Sequence, residues 1–314
     1  ATPPWRFPVF DPSTRTLRSD IPILDYGTSP TSFDRYAGFF QNSIDLNDRT
    51  VLSLGSKFED SDLTGSSIQP GARLSYALDQ RNILWGAYSR AYRQASLVEK
   101  FTKVSYGRIW NHPLLPGRWL PMDFESDPTL DDEKMDAFEL GWRTRPSDKL
   151  LIEISLYHYS TKNAIFSGPP VYTTSDVKTT GGELTFDYRA SRSWHLQGGY
   201  SYSKGKKDGV KQDDFPDSMA NLSSHYKIRD NLTFIQSLYY TGDRTIPSAY
   251  NPIPIDEYLR LDLGFVWQTK ENWEIGLFGR DLLDPDHPEN MYNDLDVEPG
   301  RVERTFLLSI TKKF

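Results

Sequence analysis

The sequence predicts an all-β protein: an antiparallel up-and-down transmembrane β-barrel, partial, comprising about thirteen C-terminal strands of a larger barrel. Three observations carry this. Segments of roughly 10–14 residues alternate apolar and polar side chains along most of the chain, and helical periodicity is nearly absent. Tight polar turns and long loops alternate between those segments. Mean hydropathy is only −0.59, although aromatic residues make up 14% of the chain. An average that hydrophilic, with that many rings, fits strands that are apolar on one face and polar on the other.

In chain order, weaker alternation marks strands near 33–46, 50–59, 69–80 and 82–92. Segment 135–145 sets Phe138, Leu140 and Trp142 against Glu139, Gly141 and Arg143, and 149–160 puts Leu150, Ile152, Ile154 and Leu156 on one face. Segment 181–190 sets Leu184, Phe186 and Tyr188 against Glu183, Thr185 and Asp187. In 192–203, Trp194, Leu196, Tyr200 and Tyr202 oppose His195, Gln197 and Ser201. After weaker strands at 217–228 and 231–241, 257–269 alternates Leu259, Leu261, Leu263, Phe265 and Trp267 with Arg260, Asp262, Gly264 and Gln268. Segment 272–281 carries Trp273, Ile275 and Leu277, and 303–314 carries Phe306, Leu308, Ile310 and Phe314.

The tight connections are 46–49, 78–82, 145–149, 189–193, 228–231 and 269–272; the long ones are 60–68, 93–133, 161–178, 204–216, 242–256 and 282–302. In an antiparallel meander this alternation gathers all long loops at one end. Transmembrane barrels sort their connections that way, and a β-sandwich has no reason to. Rings near strand ends (Tyr88, Tyr92, Trp142, Tyr157, Tyr159, Tyr188, Trp194, Tyr226, Tyr239, Tyr240, Trp267 and Trp273) fit two interfacial girdles.

Composition excludes several functions. The chain has no cysteine, so disulfides, thiolate metal sites and cysteine nucleophiles are ruled out. A net charge of −7 and the lack of a basic stripe argue against nucleic acid. No apolar run reaches the ~18 residues of a membrane helix. The start, ATPPWRF, shows no leader pattern. His112, His158, His195, His225 and His287 are scattered, and no catalytic motif occurs. The acidic groups Asp131, Asp132, Glu133 and Asp284, Asp286, Glu289 match no calcium loop and read as solvated charge. No catalytic residue, metal or cofactor is expected.

Four pieces, in order, resemble one family. GLFGRDLLDPDHPEN at 276–290 is followed by VERTFLLSITKKF at 302–314, where Arg304 and Phe306 fill an R-x-[FY] element. LWGAYSRAYRQASLVEKF at 84–101 has Ala95 where Pro is common, and 130–165 has an acidic lead-in, an E-L-G strand and a Tyr-rich strand. Over roughly 33–314 the chain resembles TonB-dependent outer-membrane receptors. Phe306, Leu308, Ile310 and Phe314 resemble the terminal strand recognised in barrel assembly, with Lys312 where an apolar residue is usual. The resemblance implies a bacterial outer-membrane location, contact with outer-membrane lipid, and energised uptake of a scarce nutrient such as a ferric siderophore. It also implies a link to the TonB complex through an N-terminal plug that nothing here matches.

Such barrels have 22 strands. At roughly 24 residues per strand and connection, those need over about 500 residues, so the chain reads as the C-terminal part of a barrel (33–314) preceded by an extracellular loop remnant (1–32). The longest loop, 93–133, carries the candidate ligand contacts Arg108, Trp110, His112, Arg118 and Trp119, which suit an anionic aromatic iron chelate. Packing of a loop cap is the competing reading of those residues. Two other classes stay open: a porin-like or enzymatic outer-membrane barrel, and a soluble β-sheet binding protein.

Overall fold

The structure, a computed structural model, describes residues 9–11, 16–18, 25–27, 32–101, 103–110, 119–166, 172–246, 252–284, 286–290 and 300–312, with backbone alone at 9–27, 103–124, 289–290 and 300. Its centre is a 14-stranded antiparallel sheet. Thirteen strands follow one another as a meander and a short fourteenth pairs off that path. They are β1 (Arg35–Asn47), β2 (Thr50–Ser61), β3 (Gly65–Ala77), β4 (Asn82–Arg93), β5 (Glu133–Ser147), β6 (Leu150–Phe166) and β7 (Thr173–Arg189). They continue as β8 (Trp194–Lys207), β9 (Ser218–Arg229), β10 (Leu232–Thr241), β11 (Tyr258–Gln268), β12 (Trp273–Arg280) and β13 (Thr305–Lys312). The path ends on β1 at one side and β13 at the other, so the sheet is an unclosed part of a barrel.

The tight turns form because short polar residues close them. Asn47 Oδ1 accepts the Arg49 N–H (2.9 Å), Asp79 Oδ1 that of Arg81 (2.7 Å), Ser147 Oγ that of Lys149 (3.3 Å), and Ser191 Oγ that of Ser193 (3.2 Å). Each acceptor sits two residues before its donor, the Asx- and ST-turn arrangement.

At the other end, three expected long loops are largely strand. β6 and β7 run past the alternating stretch, leaving 167–172 between them. Loop 204–216 begins with the hairpin Asp208–Gly209 (φ +49° and +86°), which pairs Lys207 with Val210 in the manner of a two-residue type I′ turn. Connection 60–68 shrinks to 62–64, with Gly65 at φ +75° and the Ser66 hydroxyl donating to Asp60 (2.6 Å). Polar strand extensions look like loops in sequence because no lipid demands alternation there.

Strand register assigns the faces. One face carries, across neighbours, Leu84, Trp142, Ile154, Leu184 and Tyr200. Further on it carries Tyr226, Phe234, Phe265, Leu277 and Leu308. Leu140 is 63% exposed, Leu308 62% and Phe306 70%, while the buried apolar residues are only Ala95, Leu130, Ala137, Ala164 and Ile255 among those described. A sheet with its large apolar residues outward and no packed core needs an apolar solvent. Phe306, Leu308 and Ile310 share this face as expected; Phe314 lies outside the described residues. Tyr157, Tyr159 and Tyr239 do not join the girdles. Their register places them on the inward face, where Tyr159 Oη donates to Glu139 (2.8 Å) and Arg260 lies over Tyr239.

Two separated motifs meet. Asp281, at φ +55° and 1% exposed, follows β12, and its N–H donates to Asp262 Oδ1 (3.0 Å). Arg304, just before β13, donates to the carbonyls of Asp281 (3.3 Å) and Leu282 (3.1 Å), and Gly279 pairs with Phe306. The G-x-D-L-L-D turn and the R-x-F element are two sides of one clamp on the last hairpin. Lys312 reaches the Glu271 carbonyl and lies 4.8 Å from the Trp273 ring centroid. That contact gives the cation a seat at the turn end of the barrel.

Candidate functional site at the long-loop mouth

The longest loop rises from β4 and β5, whose terminal residues Arg93 and Glu133 are register partners. Arg93 donates to Glu133 (2.6 Å) and to Glu99 (3.0 Å), and Glu133 also accepts the Ile165 N–H from β6 (2.6 Å). Sequence S-L-V-E at 96–99 starts helix α1 (Leu97–Phe101) with a capping box. The Ser96 N–H donates to Glu99 (2.7 Å) and the Glu99 N–H donates back to Ser96 Oγ (3.2 Å). The other stem is tied by the buried Lys100, which donates to the Leu130 carbonyl (2.8 Å), and by the Ala95 N–H on Asp132 (3.3 Å). Proline at 95 would lack that N–H, which gives Ala95 a reason to stand there.

Burial alone would raise the Glu99 carboxyl; the bonds from Ser96 and Arg93 outweigh it and hold it below the usual carboxylate range. Burial raises the Asp132 carboxyl, only partly offset by the Ala95 N–H. Because the folded value of Glu99 is the lowered one, its anchoring is complete above the ordinary carboxylate range and is lost as pH falls through that lowered value. Glu99→Gln should loosen the loop by about 1 kcal/mol, since Arg93 is half exposed and the pair is screened. Limited proteolysis within 103–125 at neutral pH reads this, and cleavage as slow as in the unsubstituted protein would refute the anchoring role.

Above the stems, Lys103–Trp110 and Trp119–Glu125 pair as a hairpin, with Asp25–Gly27 added beside Lys103–Ser105. Register puts Trp110 opposite Trp119 and Arg108 opposite Pro121. Of the expected ligand contacts, Arg108, Trp110 and Trp119 thus lie on one backbone hairpin, while His112 and Arg118 lie outside the described residues.

The inward face below the mouth is polar and internally paired. Arg143 meets Glu153 (2.7 Å), Arg260 meets Asp262 (2.6 Å), and Asp187 accepts from Gln197 (2.9 Å) with His195 Nε2 at 3.0 Å. Tyr157 and Tyr159 stack with ring centroids 4.8 Å apart, and the Arg73 guanidinium lies 3.9 Å from the Trp85 ring centroid. At the last loop, His287 is buried with Nδ1 3.2 Å from Asp281 and its ring stacked 4.0 Å from Tyr258. Sequence reasoning named Glu133 only as solvated charge. The residue that could have corrected this is Arg93, which strand pairing brings to it across a 40-residue gap.

The family model "TonB dependent receptor-like, beta-barrel" matches residues 5–282. Among solved structures, the fold is similar to the ferripyoverdine receptor of the outer membrane of Pseudomonas aeruginosa bound to ferripyoverdine (TM-score 0.70, 14% identity, 94% of this chain and 40% of that one). It is similar also to a siderophore receptor from Acinetobacter baumannii (0.70, 15%, 89% and 46%) and to the ferric enterobactin receptor of P. aeruginosa (0.65, 17%, 89% and 45%). The chain thus spans less than half the length of these structures. The long match, the thirteen-strand meander and the outward apolar face agree: this chain belongs to the TonB-dependent receptor family and forms part of its β-barrel in the bacterial outer membrane.

Proposed function

We propose that the chain is the C-terminal part of the barrel of a receptor that imports a ferric siderophore or a similar iron chelate. The carrying observation is the family match over 5–282, supported by a mouth at which a two-tryptophan hairpin is clamped onto three strands. The ligand is anionic and aromatic, held by Arg108, Trp110, His112, Arg118 and Trp119 through charge and stacking. Uptake is energised by the TonB complex acting through a plug domain encoded upstream, and residues 1–32 belong to the extracellular surface. In this reading the chain performs no chemistry on its cargo.

The test is growth under iron limitation of cells whose receptor lacks residues 103–125, with surface display verified by antibody. Loss of uptake of one chelate class is expected. Unchanged uptake of every chelate that the intact receptor imports would remove this loop from the binding site.

A further inference from the structure

The outward face does not end in neutral residues at the long-loop end. Register aligns Tyr88, Phe138, His158, Thr180 and Lys204 as its last ring-bearing row. The next row, two residues further along each strand, is Arg90, Asp136, Ser160, Lys178, Lys206 and Lys211. The row after that holds Tyr92, Lys134 and Lys162.

Three direct cross-strand pairs here are lysine on lysine: Lys134 with Lys162, Lys178 with Lys206, and Lys206 with Lys211. Like charges directly opposite on one face destabilise a sheet. Arg90 is neutralised by Asp136 (2.7 Å) and Lys211 by Asp213 (2.6 Å) and Asp217 (3.3 Å). Lys134, Lys162, Lys178 and Lys206 make no ion pair among the described residues, and Lys162, Lys178 and Lys206 are exposed. An uncompensated cationic cluster on four adjacent strands calls for an anion of repeated charge.

Position selects the anion. The rows below the cluster are Phe138, Leu140 and Trp142 on β5 and Leu156, Ile154 and Ile152 on β6, which face the hydrocarbon. Any molecule that reaches Lys178 and Lys206 from outside therefore lies in the leaflet, at the height where headgroup phosphates follow the acyl chains. A soluble acidic protein or a nucleic acid would have to displace lipid to lie there. We propose that this cluster binds the phosphates of a phosphorylated glycolipid of the outer leaflet, with Lys178 and Lys206 as the central contacts and Lys134 and Lys162 as a second pair. Ammonium groups act here as point charges toward phosphate oxygens. The proposal rests on the outer-membrane location and not on the identity of the imported ligand.

The experiment uses the full receptor containing this barrel, purified in mild detergent and placed in nanodiscs. The discs contain phosphatidylcholine with a small fraction of bisphosphorylated lipid A, dephosphorylated lipid A or phosphatidylglycerol. Lipid retained after exchange into lipid-free detergent is quantified by mass spectrometry. Bisphosphorylated lipid A should be retained about tenfold more by the unsubstituted receptor than by K178Q/K206Q, and dephosphorylated lipid A no better than by that variant. K134Q/K162Q, on the neighbouring pair, should give an intermediate loss and serves if the first variant does not assemble. R189Q/K227Q, inward-facing at the tight-turn end, should retain as much as the unsubstituted receptor. In glycolipid-free detergent K178Q/K206Q should be at least as heat-stable as the parent, because a like-charge pair is relieved. Equal retention by K178Q/K206Q and parent would overturn the proposal. So would equal retention of dephosphorylated lipid A, phosphatidylglycerol held as well as lipid A, or a lower stability of K178Q/K206Q without glycolipid.

Discussion

Replacing Leu140 by Arg is expected to cost about 2–4 kcal/mol of barrel stability in lipid, the range for a cation near the bilayer midplane of a transmembrane strand. Leu140 is central in β5, 63% exposed, with Gly86 and Leu156 as its register partners. No pairing partner is at hand, so the guanidinium would face hydrocarbon. Leu263→Arg, central in β11 between Gln236 and Gly279, should behave alike at the reduced end of that range, because Gln236 offers one polar neighbour. Thr185→Arg on the inward face, opposite Glu153, should be tolerated within about 0.5 kcal/mol. Denaturant titration of the receptor in bilayers reads all three. Equal costs for Leu140→Arg and Thr185→Arg would mean that the two faces share one solvent.

The second large effect comes from a glycine. Gly181 on β7 lies beneath the Tyr157 ring, and a Cβ there would meet Tyr157 Oη at 2.5 Å and also the Tyr202 carbonyl. The carbonyl belongs to a ladder and cannot move without breaking β7–β8 pairing. Gly181→Val should therefore cost about 3 kcal/mol, the upper part of the overpacking range. It should also unstack Tyr157 from Tyr159, whose hydroxyl holds Glu139. Gly38→Val, with nothing within 4 Å of its Cβ position, is the matched control and should lie within about 0.5 kcal/mol of wild type. The readout is the temperature at which the barrel loses its compact electrophoretic mobility; a shift no larger than that of Gly38→Val would show that the inner wall yields at Gly181.

What the sequence makes legible follows the solvent. Where lipid bathes one face, alternation is enforced, and all thirteen meander strands stand where period-2 segments predict them. Their ends were misplaced where both faces meet water. β6 extends to Phe166 and β7 begins at Thr173 because polar ladders leave no periodic signature. Tyr157 and Tyr159 went to the wrong face because rings near strand ends were counted without their parity. Leu150, Ile152, Ile154 and Leu156 already assign even positions of β6 to lipid, and odd ones to the interior. The Arg93–Glu99–Glu133 knot was invisible as a unit, since it needs the β4–β5 register to join residues far apart in sequence. Arg108, Trp110, His112, Arg118 and Trp119 were chosen by side-chain chemistry alone; backbone pairing adds only that three of them share a hairpin.

The account stands on the claim that one face of this sheet lies in lipid. With no native cysteine, single-cysteine spin labels can be placed at each position from 258 to 268 of the receptor in bilayers. Oxygen, which partitions into hydrocarbon, and a water-soluble nickel chelate then probe each site. Collision with oxygen should peak at positions 259, 261, 263, 265 and 267 and fall at 260, 262, 264 and 266, with the chelate showing the reverse order or exclusion. Chelate access at Leu261 and Leu263 equal to that at Arg260 and Asp262 would contradict the barrel reading.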